Sequence, residues 1–349
     1  MLRRFYAQLP AFARPDHPIM RYLLLREGRR ATRGNQILRW LSIAFLVGLL
    51  PLGGWMVATR FGTQPIETAN RFDAIYLTLY WGLIALQILM RLVAMSATIG
   101  VIATEERQQT WDTLKITTEG ALLTMKARWA AAFYRLLPVL IILTLARALF
   151  ILIALYDLTT FQGKYIDILI GGTVPFGEPY LARDMAESVG VTSGVIITAL
   201  GMTAALIAPF TALAFDAALG MLVGTLARSR LAGILGQFSL VLVRVLITGW
   251  ALWVGASALT LSPFGALNAS FAGSAPSPVL GWLGAFFGIA EGDLGLTALH
   301  LPYVQRMWAD YDYGIFIGVA FLGYVLLQAL LANLIVGLAA RRATRANKY

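Results

Sequence analysis

The chain has no cysteine, and His17 and His300 are its two histidines. The first absence excludes disulfides, thiolate metal sites and cysteine nucleophiles, and leaves the redox compartment open. The second argues against a haem held by paired histidines or a multi-histidine metal centre. Charge is also scarce: 13% of the 349 residues are Asp, Glu, Lys or Arg, against about 25% in a soluble domain. No Gly-x-x-x-x-Gly-Lys-Ser/Thr phosphate loop occurs, so nothing in this chain is built to cradle a nucleotide triphosphate. No charge-free apolar run precedes Ile37, so no signal peptide is expected.

What is present is apolar. Hydrophobic residues make up 58% of the chain and the mean hydropathy is +0.72, which predicts an all-α integral membrane protein. A membrane helix needs about 20 apolar residues. Six segments meet that length: about 37–58, 74–103, 129–155, 191–226, 234–260 and 314–340. They divide the chain into a basic arm (1–36), a six-span membrane domain (37–340) and a basic tail (341–349).

The net charge of +10 does not point to nucleic acid, because the cations sit at the ends of the apolar segments. Residues 1–39 hold nine arginines. The 104–128 connection holds Arg107, Lys115, Lys126 and Arg128, the 227–233 turn Arg228 and Arg230, and the tail Arg341, Arg342, Arg345 and Lys348. These nineteen lie on one side. The opposite connections hold five: Arg60, Arg71, Lys164, Arg183 and Arg306. The positive-inside rule puts both termini in the cytoplasm, in a cell (inner or plasma) membrane and in contact with its lipid. An even number of spans agrees.

Two outer loops are long, 156–190 and 261–313. The second contains the apolar run 277–290, too short to cross. It reads equally as a re-entrant segment or as a helix lying on the membrane surface. Before the first span, residues 16–33 place Ile19, Met20, Leu23 and Leu24 on one helical face and Arg21, Arg26, Arg29, Arg30 and Arg33 on the other. Such a basic amphipathic helix is expected to lie in the interface.

Ionisable residues inside spans are costly and demand partners. Asp216 and Arg244 are each 14 residues from position 230, the middle of a tight turn. In an antiparallel hairpin they reach similar depth, which predicts an Asp216–Arg244 pair. Arg91 lies deeper in the second span than a snorkelling side chain prefers, and is expected to meet a carboxylate, Asp216 included, or an anionic substrate headgroup. Arg135 and Arg147 stand near span ends and are expected to snorkel. Pro51, Pro138 and Pro209 are expected to kink their helices.

Between the second and third spans stands a polar block, Glu-Glu-Arg-Gln-Gln-Thr-Trp-Asp-Thr-Leu-Lys-Ile-Thr-Thr at 105–118. A cytoplasmic helix joined to two membrane helices is a means for a soluble partner to push on them. The block resembles the cytoplasmic connection of ABC transporter permeases of the type-2 exporter class, many of which carry a pattern close to E-R-E-x-G-T-W-D-x-L-L-x-T-P with a lysine some eight residues later. Glu105, Thr110, Trp111, Asp112, Leu114 and Thr117 fall on the pattern and Lys126 on the later lysine. His17-Pro18-Ile19-Met20-Arg21-Tyr22 with Arg26-Glu27 resembles the family's opening, and Leu219-Gly220-Met221-Leu222 through Arg228-Ser229-Arg230 its second cytoplasmic turn. Gln109 stands at the motif glycine and Thr118 at the motif proline, so the helix is expected to run on before turning back.

The resemblance implies a non-catalytic permease half with no cofactor or metal of its own. It would pair with a second half, identical or similar, and with two ABC ATPase subunits that carry ATP and magnesium. In that reading Glu105, Glu106 and Arg107 make charged contacts with the ATPase. Trp111 and Leu114 fill its groove, since an aromatic anchor in a pocket dominates many interfaces. Thr110 and Asp112 cap or hydrogen-bond, and Arg228 and Arg230 belong to the same cytoplasmic surface. The rival readings are a carrier driven by an ion gradient and a structural subunit of a larger complex. An interfacial helix with Trp111 at headgroup level is the alternative for 105–118.

Overall fold

The structure, a computed structural model, describes residues 8–28, 71–99, 120–160, 191–226, 230–258, 278–292 and 316–345, together with helical positions 37, 41, 44 and 48. The remainder of the first expected span, the 105–118 block, Arg228 and residues 161–190 lie outside the described residues, as does Pro51. A 3-10 turn, Ala11–Ala13, leads to α1, Pro18–Gly28. Then follow α2, Arg71–Ile99; α3, Gly120–Thr160; α4, Val191–Leu226; and α5, Arg230–Ala258. The last two are α6, Pro278–Glu291, and α7, Ile317–Arg345.

No strand occurs among the described residues. Five helices, α2, α3, α4, α5 and α7, are long and apolar enough to cross a membrane. This is the build of a multi-pass membrane protein. Large apolar side chains left exposed, such as Leu145 on α3, Leu246 on α5 and Leu330 on α7, suit a surface bathed in hydrocarbon rather than water.

The helix α4 is central and touches α2, α3, α5 and α7. Its buried positions are mostly small: Ala204, Ala205, Ala208, Ala212, Ala217 and Ala218. Lipid tails are as apolar as Leu, so helices in a membrane gain by close approach over small residues rather than by escaping water. Where α2 crosses, Gly220 and Gly224 make that approach possible. A Cβ at Gly220 would overlap Thr98 Oγ1 and the Met95 carbonyl, and one at Gly224 the Ile99 carbonyl.

Two helices differ from the expected bounds at the basic end. The third starts at Gly120 rather than near 129, and the last runs on to Arg345 rather than to 340. The reason is packing: Met125, Met221, Ala340 and Ala343 form one buried cluster, which extends both helices beyond their most apolar stretch. The N-terminal segment joins the same end. Met20 and Leu23 of α1 are buried against Ala127, Ala130 and Ala131 of α3, and the Tyr134 hydroxyl donates to the Ala13 carbonyl at 2.7 Å. The apolar face of α1 is thus covered by α3 rather than left to lipid alone. Pro138 and Pro209 both lie inside continuous helices.

Candidate functional site

Four charged side chains from four helices meet at the centre of the bundle. Arg91 of α2 donates from Nε to Asp216 Oδ2 of α4 at 2.6 Å. Its Nη2 lies 3.3 Å from Glu291 Oε2 and its Nη1 3.5 Å from the Glu291 carbonyl oxygen, at the end of α6. Arg244 of α5 places Nε 3.3 Å from Asp216 Oδ1 and Nη2 2.8 Å from Glu291 Oε2. The Arg91–Asp216 contact is a well-aligned hydrogen bond, whereas the two from Arg244 are close ion pairs without hydrogen-bond alignment. Each arginine therefore touches both acids, and each acid both arginines. The ring alternates in sign and its formal charge is zero.

All four residues are buried, Asp216 completely and Glu291, the most exposed, at 8%. That burial decides what the ring can be. An isolated ion in hydrocarbon is strongly unfavourable, and the penalty is offset only where the charge is paired and hydrogen-bonded. By helix rise, Arg91 lies about 12 Å from the end of α2 at Ile99, and Asp216 about 15 Å from the end of α4 at Leu226.

A neutral chain extends the ring to α7. The Tyr324 hydroxyl makes a short hydrogen bond to Glu291 Oε1. Gln328 Nε2 donates to the Tyr324 oxygen at 3.2 Å, and the Thr211 hydroxyl donates to Gln328 Oε1 at 2.9 Å. Every described helix except α1 and α3 contributes a side chain.

The position of Glu291 requires α6 to enter the bundle. At 14 residues α6 is about 21 Å long, too short to cross. Ile289 is buried in the main core beside Phe321 and Leu213, Phe287 packs edge-on against Trp250 of α5, and Phe286 against Tyr324 of α7. The C-terminal end of α6 is thus packed inside the bundle. A helix C-terminus carries partial negative charge, so Arg91 meets both the Glu291 carboxylate and the end of the helix that bears it.

The structure thus brings Asp216 and Arg244 together and gives Arg91 carboxylate partners. Arg147 differs from expectation. It does not snorkel: it is fully buried and donates from Nη1 to the Ala205 carbonyl at 2.8 Å. The cause is Pro209, which lacks the N–H that this carbonyl would accept four residues on. Arg135 is half-buried. Arg230 is the first residue of α5. Glu105, Glu106, Arg107, Thr110, Trp111, Asp112, Leu114 and Arg228 lie outside the described residues.

Glu291, Tyr324, Gln328 and Thr211 went unrecognised in the sequence. For Glu291 a signal existed: Arg91 and Arg244 are two deep cations, Asp216 is one acid, and neutrality asks for a second carboxylate. No group of three potential metal ligands occurs among the described residues. What the ring can do is mechanical, joining α2, α4, α5 and α6 so that none moves at that depth without separating charges. No family model, curated protein or solved structure matches the chain.

Proposed function

We propose that this chain is the six-span permease subunit of an ATP-driven transporter resembling the ABC type-2 exporters. It would sit in the cell membrane with both termini cytoplasmic and work as a dimer with two separate ATPases. The helix at 105–118 would be the coupling helix and α1 an interfacial helix. The site residues of this reading are Glu105, Glu106, Arg107, Thr110, Trp111, Asp112 and Leu114, with Arg228 and Arg230 on the same surface.

The observation that carries the reading is the anchoring of α2. Its last turn, which leads into the polar block, is locked against Gly220 and Gly224 of α4. Two turns deeper it bears Arg91, which contacts both acids of the ring. At the far side of the block, Met125 of α3 is fully buried. Force applied at 105–118 then has rigid attachments on both sides, and on the α2 side it reaches the charge ring within about 12 Å. ATP binding by the partner would tilt α2 and α3 and strain the ring. Both carboxylates of the ring are already held by both arginines, an arrangement that suits a structural lock better than the proton relay of a gradient-driven carrier.

The test is co-purification in mild detergent with mass spectrometry and an ATPase assay, comparing wild type with Trp111→Ala/Glu106→Lys. An ATP-hydrolysing partner that binds wild type and is lost from the double variant is the expected result. A complex-preserving preparation with no ATPase overturns the proposal and favours the gradient-driven carrier or the structural subunit.

A further inference from the structure

At the basic end of the bundle, where α3 begins and α7 ends, there is an open groove with about 500 Å³ of room. One wall is Leu122 and Lys126 of α3; the other is α7 from Asn333 to Thr344. Most of this surface is apolar: Leu122, Leu334 and Leu338 are all 40% or more exposed to the groove side and surroundings. The mouth is cationic. Lys126 and Arg341 both line it, and among the described residues no carboxylate does.

Two further features give the groove its shape. Gly337 stands midway along the α7 wall, and a Cβ there would meet no atom within 4 Å, so the slot is open where a side chain would narrow it. The Lys126 ammonium lies 5.7 Å above the Phe12 ring, a cation–π distance that holds it at the mouth. From Arg341 to Leu334 the wall descends about 10 Å into the span. A charged mouth above an apolar slot that runs along two membrane helices is the outline of a lipid, with a headgroup at the membrane surface and a chain beside the protein. Basic pockets between membrane helices on the positive side are suited to anionic headgroups. Arginine offers a planar pair of donors to a phosphate and lysine a point charge.

We propose that this groove binds an anionic glycerophospholipid of the leaflet at the basic end of the bundle, its phosphate between Lys126 and Arg341 and an acyl chain along Leu334 and Leu338. The site depends on the membrane setting of these helices and not on the permease reading. The lipid would tie the start of α3 to the end of α7, which already share the Met125–Ala340–Ala343 cluster.

The experiment is lipid binding to the purified full-length protein in neutral detergent, read by native mass spectrometry and by thermal shift. The probes are dioleoyl phosphatidylglycerol, dioleoyl phosphatidylcholine and inorganic phosphate. Phosphatidylglycerol is expected to bind and raise the melting temperature, and the other two are not. Lys126→Gln/Arg341→Gln is expected to weaken phosphatidylglycerol binding roughly 30-fold, about fivefold per cation. Gly337→Phe keeps both charges but fills the slot. It is expected to abolish the lipid effect while leaving the lipid-free melting temperature unchanged, because a Cβ at this position meets no atom within 4 Å. Arg342→Gln, outside the groove, is the control and is expected to bind as wild type does. Equal binding of phosphatidylcholine overturns the proposal. So does competition by inorganic phosphate at matched concentration, which would mark an anion site without an acyl chain. Undiminished binding by Gly337→Phe overturns it as well, since attraction to the basic surface alone would then suffice.

Discussion

The Arg147 guanidinium donates at 2.8 Å to the carbonyl of Ala205, the group that Pro209 leaves without its helical partner. Two irregularities that look independent in the sequence, a buried arginine in α3 and a proline inside α4, are one device. Arg147→Met should destabilise the protein by about 1–3 kcal/mol through this bond, the range for a buried acceptor left unsatisfied. Pro209→Ala restores an N–H to the carbonyl and should reduce that loss by about 1–2 kcal/mol. Thermal or denaturant unfolding of the two single variants and the double variant measures the coupling. Strict additivity would mean that the arginine and the proline act separately.

The charge ring predicts an asymmetry between breaking and removing it. Asp216→Asn leaves two buried arginines facing one carboxylate, and the loss of one partner from a buried pair typically costs about 3–5 kcal/mol. Asp216→Asn combined with Arg244→Gln removes one charge of each sign and keeps Arg91 paired with Glu291. The double variant should be more stable than Asp216→Asn alone. Yield of the monodisperse protein and its melting temperature in detergent provide the readout. A double variant worse than the single one would refute charge balance as the organising principle of the ring.

The crossing of α2 over α4 should respond to a single methyl group. Gly224→Ala and Gly220→Ala each push a Cβ into α2 backbone, and overpacking of this kind costs about 1–3 kcal/mol. Gly337→Ala adds the same methyl where nothing lies within reach and should be silent. A comparison of the three melting temperatures separates close helix approach from a general intolerance of alanine in the spans.

The long apolar segments made α2, α3, α4, α5 and α7 legible, because twenty or more consecutive apolar residues have few other uses. The Asp216–Arg244 pairing followed from symmetry about a short turn, which converts sequence distance directly into depth. Three things were not legible for physical reasons. Glu291 lies at the end of α6, and its depth depends on how that short helix docks, which periodicity does not record. Tyr324, Gln328 and Thr211 are ordinary residues in a membrane helix until a neighbour supplies their hydrogen bonds. The burial of Arg147 depends on a proline 62 residues away. The Gly220-x-x-x-Gly224 spacing did carry a readable signal for close helix packing.

The absence of cysteine makes the placement of the chain in the membrane directly measurable, since any introduced thiol is the only one to react. In the proposed orientation, which follows the excess of Lys and Arg, Arg342 is on the cytoplasmic side. In intact cells a membrane-impermeant maleimide should therefore label Ser188→Cys, and should label Arg342→Cys only after permeabilisation. Labelling of position 342 from outside, with 188 protected, would invert the whole chain and remove the cytoplasmic surface on which an ATPase could act.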